Sequence, residues 1–203
     1  MANLEAALTD RSFRIRWILA SAVGMAVAAA VARPLSYLVG GAAHGALGPV
    51  FGEAIVGVVA GGGTLGGVAL AQWPLLRRRV PWAARWPAAG AAAGAAGAAA
   101  GFGALAGLTL LGAEVLGAAA VLVFGIAAFL RAHTLVLRGH VSRPMWLAGG
   151  CAGGFLGAAL VTMAVGSFSG LDGESPLFGA LFGAVYGAVT LLVLRRMTLA
   201  DAE

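Results

Sequence analysis

Hydrophobic and polar positions alternate along this chain on the scale of whole helices. Apolar segments of about the length that crosses a bilayer core are separated by short segments that carry nearly all the charges. The apolar segments cover residues 13–32, 52–76, 88–111, 115–137, 145–165 and 177–194. The pattern predicts an all-α membrane protein with six transmembrane helices in one transmembrane domain, residues 1–203.

Composition supports a chain that faces lipid. Apolar residues make up 61% of the sequence and charged residues only 10%, against roughly a quarter in soluble domains. The single cysteine, Cys151, excludes an intramolecular disulfide and lies inside an apolar segment, where it is expected to serve as a small packing residue. Although the net charge is +5, the arginines flank apolar segments, so the chain is not expected to bind nucleic acid.

The first apolar segment also has features of a secretory signal. Three arginines precede it, and it ends in the small residues AAAVA. We interpret it as the first membrane span.

Arginines cluster on one side of the six-span topology, and the chain has no lysine. Eleven of them fall on that side: Arg11, Arg14, Arg16, Arg77, Arg78, Arg79, Arg85, Arg138, Arg143, Arg195 and Arg196. The other side carries Arg33 and most of the acids. The positive-inside rule then places both termini in the cytoplasm, in a bacterial inner membrane, with Trp82 and Trp86 as interfacial anchors.

The six segments also form an internal repeat. Trp86 precedes Glu114 by 28 positions, Trp146 precedes Glu174 by 28, and Trp17 precedes Glu53 by 36 across a longer outer loop. This spacing predicts three helical hairpins of parallel topology, covering roughly residues 13–80, 84–141 and 145–197.

Glycines recur every three or four residues in these segments and therefore lie on one helix face, which is typical of close helix packing in lipid. The packing residues predicted on this basis are Gly90, Gly94, Gly97, Gly149, Gly153, Gly157, Gly179, Gly183 and Gly187. They are expected to pack helices within the chain, and some of these faces to dock on another subunit.

Two motifs carry a resemblance. The stretch from Trp17 to Gly24 has the form W-x-x-A-[ST]-x-x-G, and the stretch from Gln72 to Arg77 has the form Q-W-x-x-L-R. The chain thereby resembles a loose group of uncharacterised bacterial multi-span proteins built from such hairpins. The later units depart from the pattern, with His133 and Thr190 near the position of Gln72. The resemblance implies a topology and no activity.

Ionisable residues inside membrane segments are candidates for function. His133 is a candidate ligand for a haem iron or a chlorophyll magnesium, although no cofactor is specified by the sequence. Arg131 is expected to extend its side chain to the interface or to form a structural hydrogen bond. The outer acids Glu53, Glu114 and Glu174 either form a site for a metal cation or a shared proton, or simply begin helices in water.

No catalytic constellation is present. The stretch GSFSG at residues 166–170 fails G-x-S-x-G, because Ser167 occupies the position before Phe168 where the motif requires glycine. We therefore expect a non-enzyme.

Besides a cation or proton site at the outer glutamates, two further functions fit this description. The first is an accessory or scaffold subunit of a larger membrane assembly, for example a respiratory or photosynthetic one, with lipid and other membrane subunits as partners. The alternative is a small-solute-binding transporter component, similar in size to the substrate-binding subunits of energy-coupling-factor importers.

Overall fold

A computed structural model describes residues 2–138, 149–158, 164 and 175–200, and these are helical apart from short turns. The helices are α1 (Ala2–Thr9), α2 (Arg11–Leu47), α3 (Pro49–Leu76), a 3₁₀ turn (Pro81–Arg85), α4 (Trp86–Leu110), α5 (Glu114–Leu137), α6 (149–158) and α7 (Pro176–Ala200). The all-helical prediction is confirmed for this part of the chain.

Within the described ranges, five helices are long and apolar enough to cross a membrane. They are Arg11–Leu47, Pro49–Leu76, Pro81–Leu110, Glu114–Leu137 and Pro176–Arg195. Of the predicted fifth span, residues 145–165, only 149–158 and 164 are described. The chain thus has the helices of a multi-pass membrane protein.

The predicted end of the first span is wrong. Instead of stopping at Arg33-Pro34, α2 continues through Pro34 to Leu47, and its 37 residues span about 55 Å. A proline removes one backbone hydrogen bond, but neighbouring helices make this tolerable in a membrane protein. Here Gly40 lies against Val56 of α3, so the extension packs on the next helix and the expected long outer loop is helical.

Two glycines make the turns after α2 and after α4 possible. Gly48 alone connects α2 to α3 at φ +82°, and Gly112 lies in the turn between α4 and α5 at φ +73°. Side chains other than glycine rarely adopt this conformation. The helices on either side of each turn consequently reverse direction within a few residues.

Close backbone contact holds the bundle together. A Cβ atom added at Gly94 of α4 would collide with the carbonyl oxygen of Gly61 in α3, and one at Gly183 of α7 would collide with that of Ser21 in α2. Such contacts bring backbones together where lipid supplies no hydrophobic drive. Of the other predicted packing glycines, Gly90 and Gly97 of α4 pack against α3 and α5, respectively. Gly179 and Gly187 of α7 both pack against α2.

Helix α6 packs through glycines next to the predicted ones. Gly150 and Gly154 lie against Val193 and Val189 of α7. The glycines predicted for this helix are Gly149, Gly153 and Gly157. A Cβ atom added at any of them would meet no described atom within 4 Å. The contact with α7 is one position out of register with the prediction.

The tryptophans of the turn between α3 and α4 are buried, not interfacial. Trp82 and Trp86 are 3% and 6% exposed, and their ring centroids lie 5.5 Å apart. They join Phe13, Trp17 and Leu137 in the main apolar core. Burying two such large rings outweighs their preference for the headgroup region.

Candidate binding cavity and the polar cluster beside it

Buried polar side chains meet at the end of the bundle that carries Arg77, hereafter the arginine end. Gln72 of α3 is at the centre of this polar cluster: its Nε2 donates to Ser21 Oγ of α2 at 2.9 Å, and its Oε1 accepts from Trp86 Nε1 of α4 at 3.0 Å. The Ser21 hydroxyl in turn donates to the Trp17 carbonyl oxygen at 2.9 Å. Because the buried amide is hydrogen-bonded on both sides, it fixes three helices relative to one another.

A second hydrogen bond connects opposite ends of the sequence. Trp17 Nε1 of α2 donates to Thr190 Oγ1 of α7 at 3.2 Å, and the same hydroxyl donates to the Gly187 carbonyl oxygen at 3.1 Å. Both Trp17 and Thr190 are buried. The cluster thus extends from α4 through α3 and α2 to α7.

His133 of α5 belongs to the aromatic side of this cluster. Its ring stacks on Phe129 with centroids 3.9 Å apart and meets Trp86 edge-on at 4.8 Å. Nδ1 lies 3.0 Å from the Phe129 carbonyl oxygen, which can only accept, so Nδ1 carries the proton. The described residues around the ring are thus those of a packed core, and the role of His133 as a cofactor ligand stays a prediction.

A cavity of about 450 Å³ lies between the helices, and Phe129, which stacks on His133, is part of its lining. Every helix from α2 to α7 contributes to its described lining. Five phenylalanines shape its apolar part: Phe102, Phe129, Phe155, Phe178 and Phe182. The volume falls within the range of small-molecule sites in proteins.

Polar groups are confined to one part of the cavity lining. Arg33, Ser36 and Tyr37 share one face of α2, and Thr64 of α3 lies in the same wall. Arg33 is the one charged residue among the described lining residues. Along α2, Arg33 lies about 24 Å from Trp17, which is near the arginine end. The polar part of the cavity is therefore remote from that end.

The polar part of the cavity lining consists of hydrogen-bonding groups. A guanidinium presents five hydrogen-bond donors in a planar fork, and a phenol and two hydroxyls both donate and accept. The Ser36 hydroxyl donates to the Arg33 carbonyl oxygen at 2.7 Å and retains its acceptor capacity. The cavity lining thus combines a small polar part with a larger apolar part that contains the phenylalanines.

Of the three candidate glutamates at the opposite end, Glu53 and Glu114 lie within the described residues. Glu53 Oε1 lies 3.2 Å from His44 Nε2, and His44 Nδ1 lies 2.7 Å from the Gly40 carbonyl oxygen. Glu114 lies in the first turn of α5, where the helix dipole favours an acid. Glu174 lies outside the described residues. In the ranges that are described, no group of three His, Cys, Asp or Glu side chains is placed to hold a metal ion.

The remaining candidates are placed as follows. Arg131 is exposed on α5, two residues from the buried His133. Cys151 is buried in the core of α6. The stretch at residues 166–170 and Trp146 lie outside the described residues.

Sequence reasoning missed Arg33, Ser36, Tyr37 and Thr64 as site residues. Arg33-Pro34 has the pattern of a helix end, so the polar residues after it were assigned to a loop. The available signal was the spacing of positions 33, 36 and 37, which is that of one helix face within an apolar stretch.

Comparison of the chain with known protein families, with curated proteins and with solved structures finds no match.

Proposed function

We propose that this protein binds a small, largely apolar molecule with one polar head group, as a solute-binding component of the bacterial inner membrane. The observation that carries the proposal is the cavity of about 450 Å³ whose lining draws on every helix from α2 to α7. The cavity is partly open to its surroundings, and its lining side chains lack packing partners on that side unless a molecule occupies it. An occupant would restore those contacts.

The expected orientation follows from the arginines. We place six spans across the membrane in three hairpins, with both termini and the arginine end in the cytoplasm. Two hydrogen bonds support a cyclic arrangement of the repeats: Trp86 of the second unit bonds Gln72 of the first, and Trp17 of the first bonds Thr190 of the third. The polar part of the cavity then lies toward the outer leaflet.

Filling the cavity tests the proposal directly. Gly125 lines the cavity, and a Cβ atom added there would meet nothing within 4 Å. Gly125→Leu should therefore occupy the cavity without displacing the backbone. Gly41→Leu is the matched control, because Gly41 also has open space but does not line the cavity.

The measurement is mass spectrometry of small molecules that copurify in lipid nanodiscs, together with thermal unfolding in the presence of decanoate as a probe. We expect the wild type and Gly41→Leu to retain a molecule and to gain thermal stability with decanoate. Gly125→Leu should do neither. Identical behaviour of all three proteins would remove the cavity as a binding site.

An accessory subunit remains the second candidate. The observation that favours it is the face of α6 with Gly149, Gly153 and Gly157, where no described atom lies within 4 Å of an added Cβ. Faces with glycine at every fourth position associate closely in membranes. Gentle extraction followed by mass spectrometry of the intact particle distinguishes a subunit with stoichiometric partners from a protein that binds solute alone.

A further inference from the structure

A second concave site lies at the arginine end, apart from the central cavity. This cationic cleft has a volume of about 460 Å³ and is lined by Ser12, Phe13 and Arg16 of α2 and by Leu75, Arg78 and Arg79 at the end of α3. Three guanidinium groups, one from α2 and two from the turn after α3, therefore line one space.

The cleft carries a net positive charge. Asp10 also lines it, but its carboxylate accepts from Ser12 N at 2.8 Å and from Ser12 Oγ at 2.7 Å as the N-cap of α2. Arg16 interacts electrostatically with Asp10, but in the described part of the chain neither Arg16 nor Arg78 makes an ion pair or a hydrogen bond, and both are exposed. Their donors are available to an anion from outside the chain.

One of the arginines is held in position. The Arg79 guanidinium carbon lies 4.8 Å from the centroid of the Phe13 ring, a cation–π contact that joins the turn after α3 to α2. Phe13 is 2% exposed and therefore rigidly packed. A guanidinium fixed in this way presents its fork at little entropic cost, and the fork matches the oxygens of a phosphate.

The surroundings of the cleft place it where apolar and polar surfaces meet. Pro74 and Leu75 form its apolar side, and α3 ends at Leu76, one residue before the arginines begin. A phospholipid carries its phosphate directly beside its acyl chains, so it matches a site where a polar and an apolar surface meet.

We propose that the cationic cleft binds a phosphate group, and that its source is the headgroup of an anionic phospholipid. Arg16, Arg78 and Arg79 bind the phosphate oxygens, and the apolar side contacts the start of the acyl chains. This site is independent of the solute cavity, which shares no lining residue with it.

The test compares two double variants with the same loss of charge. Arg16→Gln with Arg78→Gln empties the cleft of two guanidinium groups, whereas Arg85→Gln with Arg138→Gln removes two exposed arginines at the same end that do not line it. Each protein is incorporated in nanodiscs of phosphatidylcholine with a minor fraction of phosphatidylglycerol, and retained lipid is counted by native mass spectrometry.

We expect the wild type and the control to retain phosphatidylglycerol in preference to phosphatidylcholine. The cleft variant should lose this preference by roughly tenfold or more, since each arginine near a membrane surface contributes measurably to anionic-lipid binding. Equal losses in the two double variants would overturn the proposal, because the preference would then come from overall charge.

A second arm identifies the source of the phosphate. Thermal unfolding of the detergent-solubilised protein is measured with inorganic phosphate and with a short-chain phosphatidylglycerol. Stabilisation by the lipid alone, lost in the cleft variant, supports a headgroup site. Equal stabilisation by inorganic phosphate would overturn the lipid assignment. The absence of any stabilisation dependent on Arg16 and Arg78 would overturn the phosphate site itself.

Discussion

Trp17 and Thr190 are 173 positions apart in the chain, yet the indole nitrogen of the first lies 3.2 Å from the hydroxyl of the second. The bond joins the start of the first long helix to the last helix of the fold. Both side chains are buried, so it forms in a medium of low dielectric constant.

A double-mutant cycle measures this bond. Trp17→Phe and Thr190→Val each remove one partner, and we expect a coupling of about 0.5–1.5 kcal/mol between them in the free energy of unfolding. Chemical unfolding in mixed micelles gives the free energies of unfolding of the wild type, the two single variants and the double variant. Additivity of the two substitutions would show that the hydrogen bond contributes nothing.

Gln72 should be the most sensitive polar residue of the buried cluster. Gln72→Met keeps the length of the side chain but leaves the Trp86 N–H without its acceptor, at a cost of about 1–3 kcal/mol in the free energy of unfolding. Gln72→Glu retains an acceptor for Trp86 but not the donor to Ser21. Leu70→Met, at an exposed position of the same helix, is the control and should change little.

Gly94 sets the distance between α3 and α4. Gly94→Ala would bring a methyl group onto the Gly61 carbonyl, so we expect a loss of about 1–3 kcal/mol in the free energy of unfolding. Gly45→Ala, where an added Cβ meets nothing within 4 Å, should be neutral or slightly stabilising. Similar values for the two variants would contradict close packing at Gly94.

Asp10 should make stability depend on pH in the acidic range. Hydrogen bonds from the Ser12 side chain and backbone hold the pKa of the Asp10 carboxyl below its usual value of 3.8. Because the folded pKa is the lower one, the stabilisation is complete above pH 3.8 and is lost as pH falls through the folded value. Asp10→Asn caps the helix without titrating, so comparison of unfolding at pH 6 and pH 3 should show the smaller change in the variant.

The orientation of the chain can be measured with single cysteines. In a Cys151→Ser background, Ala84→Cys places a thiol at the arginine end and Leu111→Cys places one at the opposite end, where Leu111 is exposed. An impermeant maleimide should label Leu111→Cys in intact cells and Ala84→Cys only in inverted vesicles. The reverse pattern would place the termini outside.

Local sequence properties account for what was predictable here. Hydropathy over some twenty residues is sufficient to identify helices such as α5, since every backbone group in lipid must be bonded within its own helix. The boundary at Arg33 was not predictable in this way. Whether a helix continues through Pro34 depends on the α3 surface that Gly40 meets, which lies on another segment of the chain.

The buried cluster was visible only in part. Trp17, Gln72 and Trp86 were conspicuous in the sequence as repeated motifs. Their pairing depends on which helices are neighbours in the fold, and the order of helices in the sequence does not specify those neighbours. Trp86 was assigned to the interface because a tryptophan beside arginines is common there, whereas its bond to Gln72 requires burial.

By itself, the sequence determined that this chain forms apolar helices and that its arginines collect at particular turns, because both are properties of contiguous residues. The tertiary structure alone decided the cavity and the cationic cleft. The cavity is a volume that several helices together do not fill. The cleft exists because the start of α2 meets the end of α3. Both depend on distances between segments, which are set by packing and not by local composition.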